Sequence, residues 1–455
     1  LLTQNLRQSR ILRRLHDRAQ IAAGRVVWPS AQVLPLDAWL TQQWRDAGAA
    51  NQDLRQPLPA VALHWLWRRQ AAADAPGLLD PAELGARARA CWLRLRAYGG
   101  DLDDITRFPL TRDQQAFAAW ARGAERELRE RGACDPSDLA RLLVEADAVP
   151  VSGPPLMLAG FRRLTPSQSA LLAALRAKGW SVTQSEPAID GHAVWSHAAP
   201  DPESERTAML DWARLRLEQQ PDGLHALIVP DLAANRGVIQ RALEARLQPE
   251  LELPGSARRE RLFDLAGGYP LSVQPVVEAA LAALACSLGH FDWTLASRLL
   301  RSPHLAGSQP EQDARIRLDV ELRSAQGLPR ASVHALGGRA AAAEAGQFAA
   351  LLAAASARLA GPTRRGAAAW AESFGACLAA WGWPGEIVLG SDEFQAAKHF
   401  RELLRELAAL AAVAPDFGGA AALDELRRLA AAPFQAESGE PSVFVLDAYE
   451  DPGVS

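Results

Sequence analysis

Lysine is almost missing from this chain, since only Lys178 and Lys398 occur among its 455 residues. A loop that binds nucleotide phosphates needs glycine N–H groups, a lysine against the β- and γ-phosphates and a hydroxyl residue on magnesium. Lys178 precedes Gly179 at the end of a predicted helix, and Lys398 precedes His399 inside another. Neither fits such a loop, so residues 1–455 contain no P-loop. A P-loop upstream of residue 1 stays an open alternative.

Cysteine is also scarce, with four residues that lie far apart. This spacing excludes a zinc site built from paired cysteines and is typical of a reducing cytosol. Cys91 and Cys377 fall in apolar helical segments, so we expect both in a core. No uncharged apolar run reaches the roughly 18 residues of a membrane span, and the first residues lack the pattern of a signal peptide. We therefore expect a cytoplasmic protein with no membrane partner.

The overall composition is that of a globular protein, with 49% hydrophobic residues, 22% charged residues and a net charge of -4. This charge excludes a polycation that coats DNA unselectively, but it leaves room for a local basic groove. The chain starts without methionine inside a predicted strand and stops within a motif. We therefore expect it to be a piece of a longer protein.

Short apolar runs of strand length occur at six places, and most precede a helical pattern. They are Leu1–Thr3, Arg25–Trp28, Leu156–Phe161, Ser181–Gln184, Ala226–Val229 and Val443–Leu446. Strands that alternate with helices predict parallel sheets covered on both faces. We expect an α/β fold dominated by helix, with a first domain over 1–200 and a second, incomplete domain over 201–455. Helical insertions are expected at about 31–149 and about 250–436.

Local helix signals are clearest in the first insertion. Asp80-Pro81 is typical of a helix start, because proline fits the first turn. Thr111 with Gln114 three residues later predicts a capping box, and that helix is expected to run to about Gly132. Asp135-Pro136 predicts the start of the next helix.

The strand that begins at Leu156 ends without acidic residues. Nucleotide hydrolysis needs carboxylates that hold Mg²⁺ after such a strand. Ala159 and Gly160 occupy these positions, and neither has a side-chain oxygen. We therefore expect no hydrolysis of ATP by this chain.

The run Leu156–Leu175 resembles the strand, turn and helix that carry the second motif of UvrD-type superfamily I helicases. In active members the strand ends in an Asp-Glu pair and a glutamine lies in the next helix. Here Gln168 is kept, while Ala159 and Gly160 replace the acids. The chain resembles the AddB-type subunit of bacterial helicase–nucleases. It resembles more closely a proteobacterial family of probable DNA repair proteins, with an inactivated helicase region and a C-terminal PD-(D/E)XK nuclease.

Other segments resemble the same family in the same order. They are Leu1–Arg7 near the first nucleotide motif, Gly24–Leu40, Ser204–Asp231 at the start of the second motor-like domain, Phe263–Leu284 at its helical insertion, and Val443–Val454. Active helicases carry Thr-x-His and then Lys-Gly in the last segment. Asp447 and Tyr449 replace the first pair here, and Pro452 precedes Gly453. The resemblance implies two superfamily I helicase-like parallel-sheet domains with degenerate ATP motifs.

Two groups of residues are candidates for contacts with DNA. Proteins that bind single strands stack bases on aromatic rings beside arginines, and the densest such cluster is Trp65, Trp67, Arg68 and Arg69. Packing of both tryptophans in a core is the alternative. Arg162 and Arg163 follow a predicted strand, where α/β folds place ligands. The alternative is that both arginines are solvent-exposed charges or partners in ion pairs.

A nuclease centre of the PD-(D/E)XK type needs carboxylates and a lysine. Pro200–Glu203 has acids without a nearby lysine, and Asp392-Glu393 with Lys398 is typical of a solvated helix face. The resemblance implies that the nuclease lies beyond residue 455 and that the full-length protein is an exonuclease. For this piece we expect no catalytic residue, no metal site and no cofactor.

The leading hypothesis is a non-catalytic, helicase-like module of a bacterial DNA repair protein. It would bind single-stranded DNA or duplex ends, or hold a helicase or nuclease partner. An active ATP-dependent helicase whose P-loop lies upstream is one alternative, which ATPase activity of the full-length protein would favour. A pure interaction scaffold is another, which a surface without a basic groove would favour.

Overall fold

A computed structural model describes residues 1–51, 53–74, 80–107, 110–161, 163–185, 194–221, 223–252, 261–289, 292–324, 332–436, 439 and 441–448. The described residues form two compact units, unit 1 over Leu1–Trp195 and unit 2 over Ser196–Glu450. Helix dominates both units, and each contains a small parallel sheet. This architecture agrees with the expected α/β class. Arg162, Tyr449, Pro452 and Gly453 lie outside the described residues.

Unit 1 combines a sheet with a group of helices inserted between its strands. In chain order its elements are β1 (Leu2–Thr3), α1 (Leu6–Ala22), β2 (Leu34–Pro35), α2 (Leu36–Ala50), β3 (Gln56–Pro57), α3 (Ala60–Asp74), α4 (Pro81–Ala97), α5 (Leu102–Thr106), α6 (Arg112–Glu130), β4 (Ala133–Cys134), α7 (Leu139–Glu145), β5 (Leu156–Ala159), α8 (Pro166–Ala177) and β6 (Val182–Ser185).

The main sheet of unit 1 has the spatial order β2-β1-β5-β6, and every neighbouring pair is parallel. Leu2 lies opposite Leu34 on one side and Leu158 on the other. The buried leucines of the sheet pack with Trp39 and Trp180, whose rings meet edge to face with centroids 6.1 Å apart. The predicted strands near residues 1, 156 and 181 are therefore confirmed as members of one parallel sheet.

The predicted strand at Arg25–Trp28 is wrong. Val26 and Val27 are almost fully exposed, and the strand beside β1 is Leu34–Pro35 instead. An apolar run becomes a strand only where a neighbouring backbone pairs with it and a core covers one face. Trp28 takes another partner, because its indole N–H donates to the carboxylate of Asp17 in α1 at 2.7 Å.

The inserted helices of unit 1 have a core of their own between α3, α4 and α6, built from alanines, leucines, Trp67 and Trp92. Their predicted starts are confirmed. The Asp80 carboxylate accepts the N–H groups of the next turn, and Thr111 forms the capping box with Gln114. Asp135 likewise caps the turn that leads into α7. The short parallel pairing of β3 with β4 was not predicted.

Unit 2 repeats the plan of strands separated by many helices. In chain order its elements are α9 (Pro202–Gln219), β7 (His225–Val229), α10 (Leu232–Leu247), β8 (Phe263–Leu265), β9 (Tyr269–Pro270), α11 (Pro275–Ser287), α12 (Trp293–Arg301), α13 (Gln312–Ser324), α14 (Val333–Ala342), α15 (Gly346–Leu359), β10 (Arg364–Arg365), α16 (Ala367–Ala380), α17 (Ser391–Ala409), β11 (Phe417–Gly418), α18 (Gly419–Ala430), β12 (Pro433–Phe434) and β13 (Val443–Asp447).

The largest sheet of unit 2 is parallel and has the order β7-β13-β8, with Val445 opposite Leu227 and Leu265. The predicted strands near 226 and 443 are confirmed, and the structure shows that they are neighbours. Strand β8 was missed, because its three residues begin a run that otherwise reads as helix. Helices α11 to α18 lie in the part of the chain where a helical insertion was expected at about 250–436, and several of them pack around α11, which is buried along nearly its whole length. Among the residues that the structure describes, every helix is too short or too polar to traverse a lipid bilayer.

The cysteines differ in accessibility, and the expectation for Cys91 is wrong because this side chain is exposed. Its helix turns the apolar positions Ala88 and Trp92 inward and leaves Cys91 outside. Cys134, Cys286 and Cys377 are buried. Burial raises the pKa of Cys134 and of Cys286 to about 12, and that of Cys377 to about 11.

Thiol labelling of the native chain is expected to modify Cys91 and to spare the other three cysteines. The thiolate is the reactive form, and burial both hides the other sulfurs and disfavours their ionisation. Intact-mass measurement should show one maleimide adduct on the native chain and four adducts in urea, the number of cysteines in the sequence. Rapid formation of a second adduct under native conditions would contradict the burial of the remaining thiols.

Candidate nucleic-acid interface

The carboxyl ends of β1 and β5 lie side by side at one edge of the unit 1 sheet. Ala159 ends β5 there, and Gly160 follows with a left-handed φ of 79°, a conformation that favours glycine. A Cβ at Gly160 would lie 3.1 Å from the side-chain amide of Gln8. The stretch that ends in Ala-Gly is thus inside a parallel sheet, but it brings no side-chain oxygen to this edge. These residues do not fit a magnesium ion.

The turn from β1 into α1 uses its own side chains to satisfy its backbone. The Gln4 N–H donates to Oε1 of Gln8 at 3.0 Å, and the Gln8 N–H donates to Oδ1 of Asn5 at 3.0 Å. Below them, the hydroxyls of Thr3 and Ser9 are 2.6 Å apart. A nucleotide phosphate would need free N–H groups at this turn. Two N–H groups of this turn are already engaged by side-chain oxygens, so they are not free for a phosphate.

Two further candidate residues, Arg163 and Gln168, follow β5 in the chain. Gln168 closes the capping box of α8, because its Oε1 accepts the Thr165 N–H at 2.9 Å while its own N–H donates to the Thr165 hydroxyl at 3.3 Å. Its side chain is thus engaged in helix capping. Arg163 is exposed and has no hydrogen bond or ion pair with a described residue. Arg162, its predicted companion, lies outside the described residues.

Asp447 stands at the carboxyl end of β13 in unit 2. Its Oδ2 accepts the backbone N–H of Leu232 at 3.0 Å, in the first turn of α10. A carboxylate is stabilised at the positive end of a helix. Asp447 therefore ties β13 to α10, the helix that follows its neighbour β7.

The four candidates on α3 do not share one environment. Trp67 is 1% exposed and belongs to the helical core, so it cannot stack on a base unless the core opens. Trp65 is half-buried, and the Arg68 guanidinium lies 4.3 Å from the centre of its ring. Arg69 is exposed and forms an ion pair with Glu127 of α6. The structure thus leaves Trp65, Arg68 and Arg69 as surface candidates and removes Trp67.

Arg69 lies in a groove between α3 and α6, with a volume of about 350 Å³. We call it the arginine groove, and its lining residues are Arg69, Gln70, Gly123, Arg126, Glu127, Glu130 and Arg131. At its floor, the buried Glu127 carboxylate accepts from Arg69, from Gln70 Nε2 at 3.3 Å and from Arg131 Nε at 3.0 Å. This set of contacts holds two guanidinium groups in fixed positions.

The arginine groove has an excess of positive charge. Three arginines against two glutamates leave one net positive charge on its lining. Arg126 is exposed and makes no ion pair with a described residue, and Arg122, one turn earlier on α6, has the same character. The sequence reasoning missed both, although their four-residue spacing on an amphipathic helix was a usable signal.

No model of a known protein family matches the chain, and a search of curated proteins finds no match either. Over the described ranges, no group of three or more His, Cys, Asp or Glu side chains is arranged to hold a metal ion.

Proposed function

We propose that this chain is a non-catalytic, helicase-like module of a DNA repair helicase or nuclease, and that it binds single-stranded DNA through the arginine groove. The two units would correspond to two superfamily I helicase-like domains. The position of Ala159 and Gly160 supports this lineage, because they end a central parallel strand beside the turn after β1. Their lack of oxygen ligands supports a role without ATP hydrolysis.

One observation carries the proposal of DNA binding: Arg126 is an exposed guanidinium without a carboxylate partner among the described residues, in a groove where Glu127 fixes two more arginines. Phosphate contacts by arginine supply most of the affinity for a nucleic-acid backbone. Trp65 lies one helical turn before Arg69 on α3, and Arg68 covers its ring. A base could stack beside this pair while its phosphate enters the groove.

Replacing Arg126 with alanine is expected to weaken binding of an unstructured single strand about fivefold, which corresponds to roughly 1 kcal/mol for an exposed charge pair. The plot of log affinity against log salt should become shallower by about 0.7, since one phosphate contact is lost. Filter binding between about 50 and 200 mM salt measures both quantities. Arg45→Ala is the matched control, because Arg45 is exposed on α2, has no ion pair with a described residue and lies outside the groove.

The proposal fails if the unaltered chain does not bind single strands at low salt, where phosphate contacts are strongest. Equal losses for Arg126→Ala and Arg45→Ala would place binding outside the arginine groove. If Arg126→Ala abolishes binding of a helicase or nuclease partner but leaves the affinity for DNA unchanged, the result would instead favour the scaffold hypothesis. Each variant removes one positive charge, so net charge cannot explain a difference between them.

A further inference from the structure

The outward face of α6 is basic over most of its length. Its exposed positions, in chain order, are Arg112, Gln115, Ala119, Arg122 and Arg126. A helix turns about 100° per residue, so these five positions lie within an arc of about 80°. They start at the first residue of the helix and end in the arginine groove. We call this set of five residues the α6 ridge.

The α6 ridge contains three arginines and no carboxylate. Arg112, like Arg122 and Arg126, is exposed and forms no ion pair with a described residue. Asp113 follows Arg112 directly in the chain, but it projects about 100° further round the helix and does not pair with it. The nearest carboxylate on the same side of α6 is Glu130, which lies beyond the end of the ridge and lines the arginine groove. The ridge therefore presents three positive charges that no carboxylate of its own offsets.

Arg112 occupies a position that is unfavourable for the stability of α6. Thr111 is the N-cap, so Arg112 is the first residue of the helix. The N-terminus of a helix carries partial positive charge, which disfavours a second positive charge beside it. Residues that break such a local rule without forming a compensating contact are expected at functional sites. A phosphate beside Arg112 would be attracted both by its guanidinium group and by the end of the helix.

The length of the α6 ridge determines how much DNA it can contact. Arg112 and Arg126 lie about 21 Å apart along the helix axis, at about 1.5 Å per residue. The phosphates of one strand of B-DNA are about 3.4 Å apart along its axis, so the ridge matches about six phosphate spacings, or fewer in an extended strand. A trinucleotide has only two neighbouring phosphates, and these are much closer together than the two ends of the ridge.

We infer that the DNA ligand is a single strand that lies along the α6 ridge, from the arginine groove to the start of the helix, and not a strand end held in the groove alone. This inference rests on the proposed function, because it extends the site at Arg126. Its support is the charge of the ridge and the continuity of the ridge with the groove. Arginine donates paired hydrogen bonds to phosphate oxygens, and the ridge has no aromatic ring on which a base could stack. Its contacts are therefore to the backbone, so strands of different sequence should bind about equally.

Arg112→Ala tests the inference with DNA of two lengths, measured by fluorescence anisotropy of labelled oligonucleotides. The variant is expected to bind an unstructured strand of twelve nucleotides about fourfold more weakly. Its plot of log affinity against log salt should become shallower by about 0.7, since one phosphate contact is lost. Its affinity for a trinucleotide should equal that of the unaltered chain, because the arginine groove is intact. Arg45→Ala is the matched control, since Arg45 is also exposed without an ion pair to a described residue but lies on α2.

The Arg112→Ala variant should fold at least as well as the unaltered chain, because alanine is the better helix former and the change removes a positive charge from the positive end of α6. Circular dichroism checks this. The inference is overturned if Arg112→Ala leaves binding of the twelve-nucleotide strand unchanged, or weakens it no more than Arg45→Ala does. Equal losses for both DNA lengths also overturn it. In each of these cases a loss in Arg126→Ala alone would leave the proposed function standing. If the unaltered chain binds neither oligonucleotide, the proposed function fails and the inference fails with it.

Discussion

Alanine in place of Trp67 is expected to destabilise unit 1 by about 3–5 kcal/mol, the usual cost of deleting a buried tryptophan side chain. Trp67 packs with Trp92 and Leu63 in the core of the inserted helices. Gly85 of α4 comes very near the backbone here, since a Cβ at Gly85 would lie 2.9 Å from the carbonyl carbon of Trp67. Helices in such close contact cannot move together to fill the cavity, which favours the upper part of this range.

Hydrogen exchange of the full chain, resolved by peptide, measures this loss as a lower free energy of opening in α3, α4 and α6. Peptides of unit 2 serve as an internal reference. Trp65→Ala is the matched control, because it makes the same substitution two residues away at a half-buried position outside the core cluster. The control is expected to cost roughly 1 kcal/mol.

The two tryptophan variants should also differ in their affinity for single-stranded DNA. Trp65→Ala is expected to weaken binding by roughly 1–3 kcal/mol if a base stacks there. Trp67→Ala should leave the affinity of the folded chain unchanged, since its ring is not at the surface. Similar losses of stability in both variants would contradict the assignment of Trp67 to the core and of Trp65 to the surface.

Helix starts could be predicted from the sequence because capping is decided within four residues. Thr111 and Gln114 form the expected reciprocal pair. The same spacing at Thr165 and Gln168 also makes a capping box, although the resemblance directs attention to Gln168 as a motor residue. The capping box at Gln168 was not predicted, although its local spacing indicates the geometry of this side chain more directly than its place in a motif does.

Strands and interfaces were harder to predict because they depend on distant partners. Leu34-Pro35 is too short to show an alternating pattern, whereas the more apolar Val26-Val27 pair has no neighbouring strand. On α3, spacing alone grouped Trp65 with Arg68 and Arg69, but it could not say which side meets α6. Glu127, the partner of Arg69, is 58 residues away in the chain. The arginine groove could not be predicted from the sequence, because its lining residues come from two helices whose packing the sequence did not indicate.

Asp135 makes one contact that local sequence predicts and one that it does not. Its helix cap is formed with a residue two positions away, whereas its ion pair is formed with Arg89, 46 residues away. Its carboxylate accepts the Ser137 N–H at 3.0 Å, as the Asp-Pro pattern predicts. It also accepts two hydrogen bonds from Arg89 of α4, from Nε to Oδ2 at 2.8 Å and from Nη2 to Oδ1 at 2.9 Å. Asp135 and Arg89 are 7% and 14% exposed, so water screens this pair poorly.

Asp135→Ala is expected to destabilise unit 1 by about 3–5 kcal/mol, because it leaves the Arg89 charge buried without its partner. The lost cap accounts for about 1 kcal/mol of this. Asp135→Asn separates the two effects, since its amide oxygen can still accept the Ser137 N–H while the negative charge is gone. Urea unfolding, combined with peptide-level exchange in α4 and α7, measures each loss.

The double variant Arg89→Met with Asp135→Asn then decides whether the ion pair or the cap dominates. Replacing both members of a buried pair with neutral residues costs far less than breaking it from one side. The double variant is therefore expected to recover most of the stability that Asp135→Asn loses. If it is no more stable than Asp135→Asn, the buried charge of Arg89 is not the cause of the loss. In that case the contact between α4 and the start of α7 must depend on apolar packing, and the pair of Arg89 and Asp135 only orients the two helices.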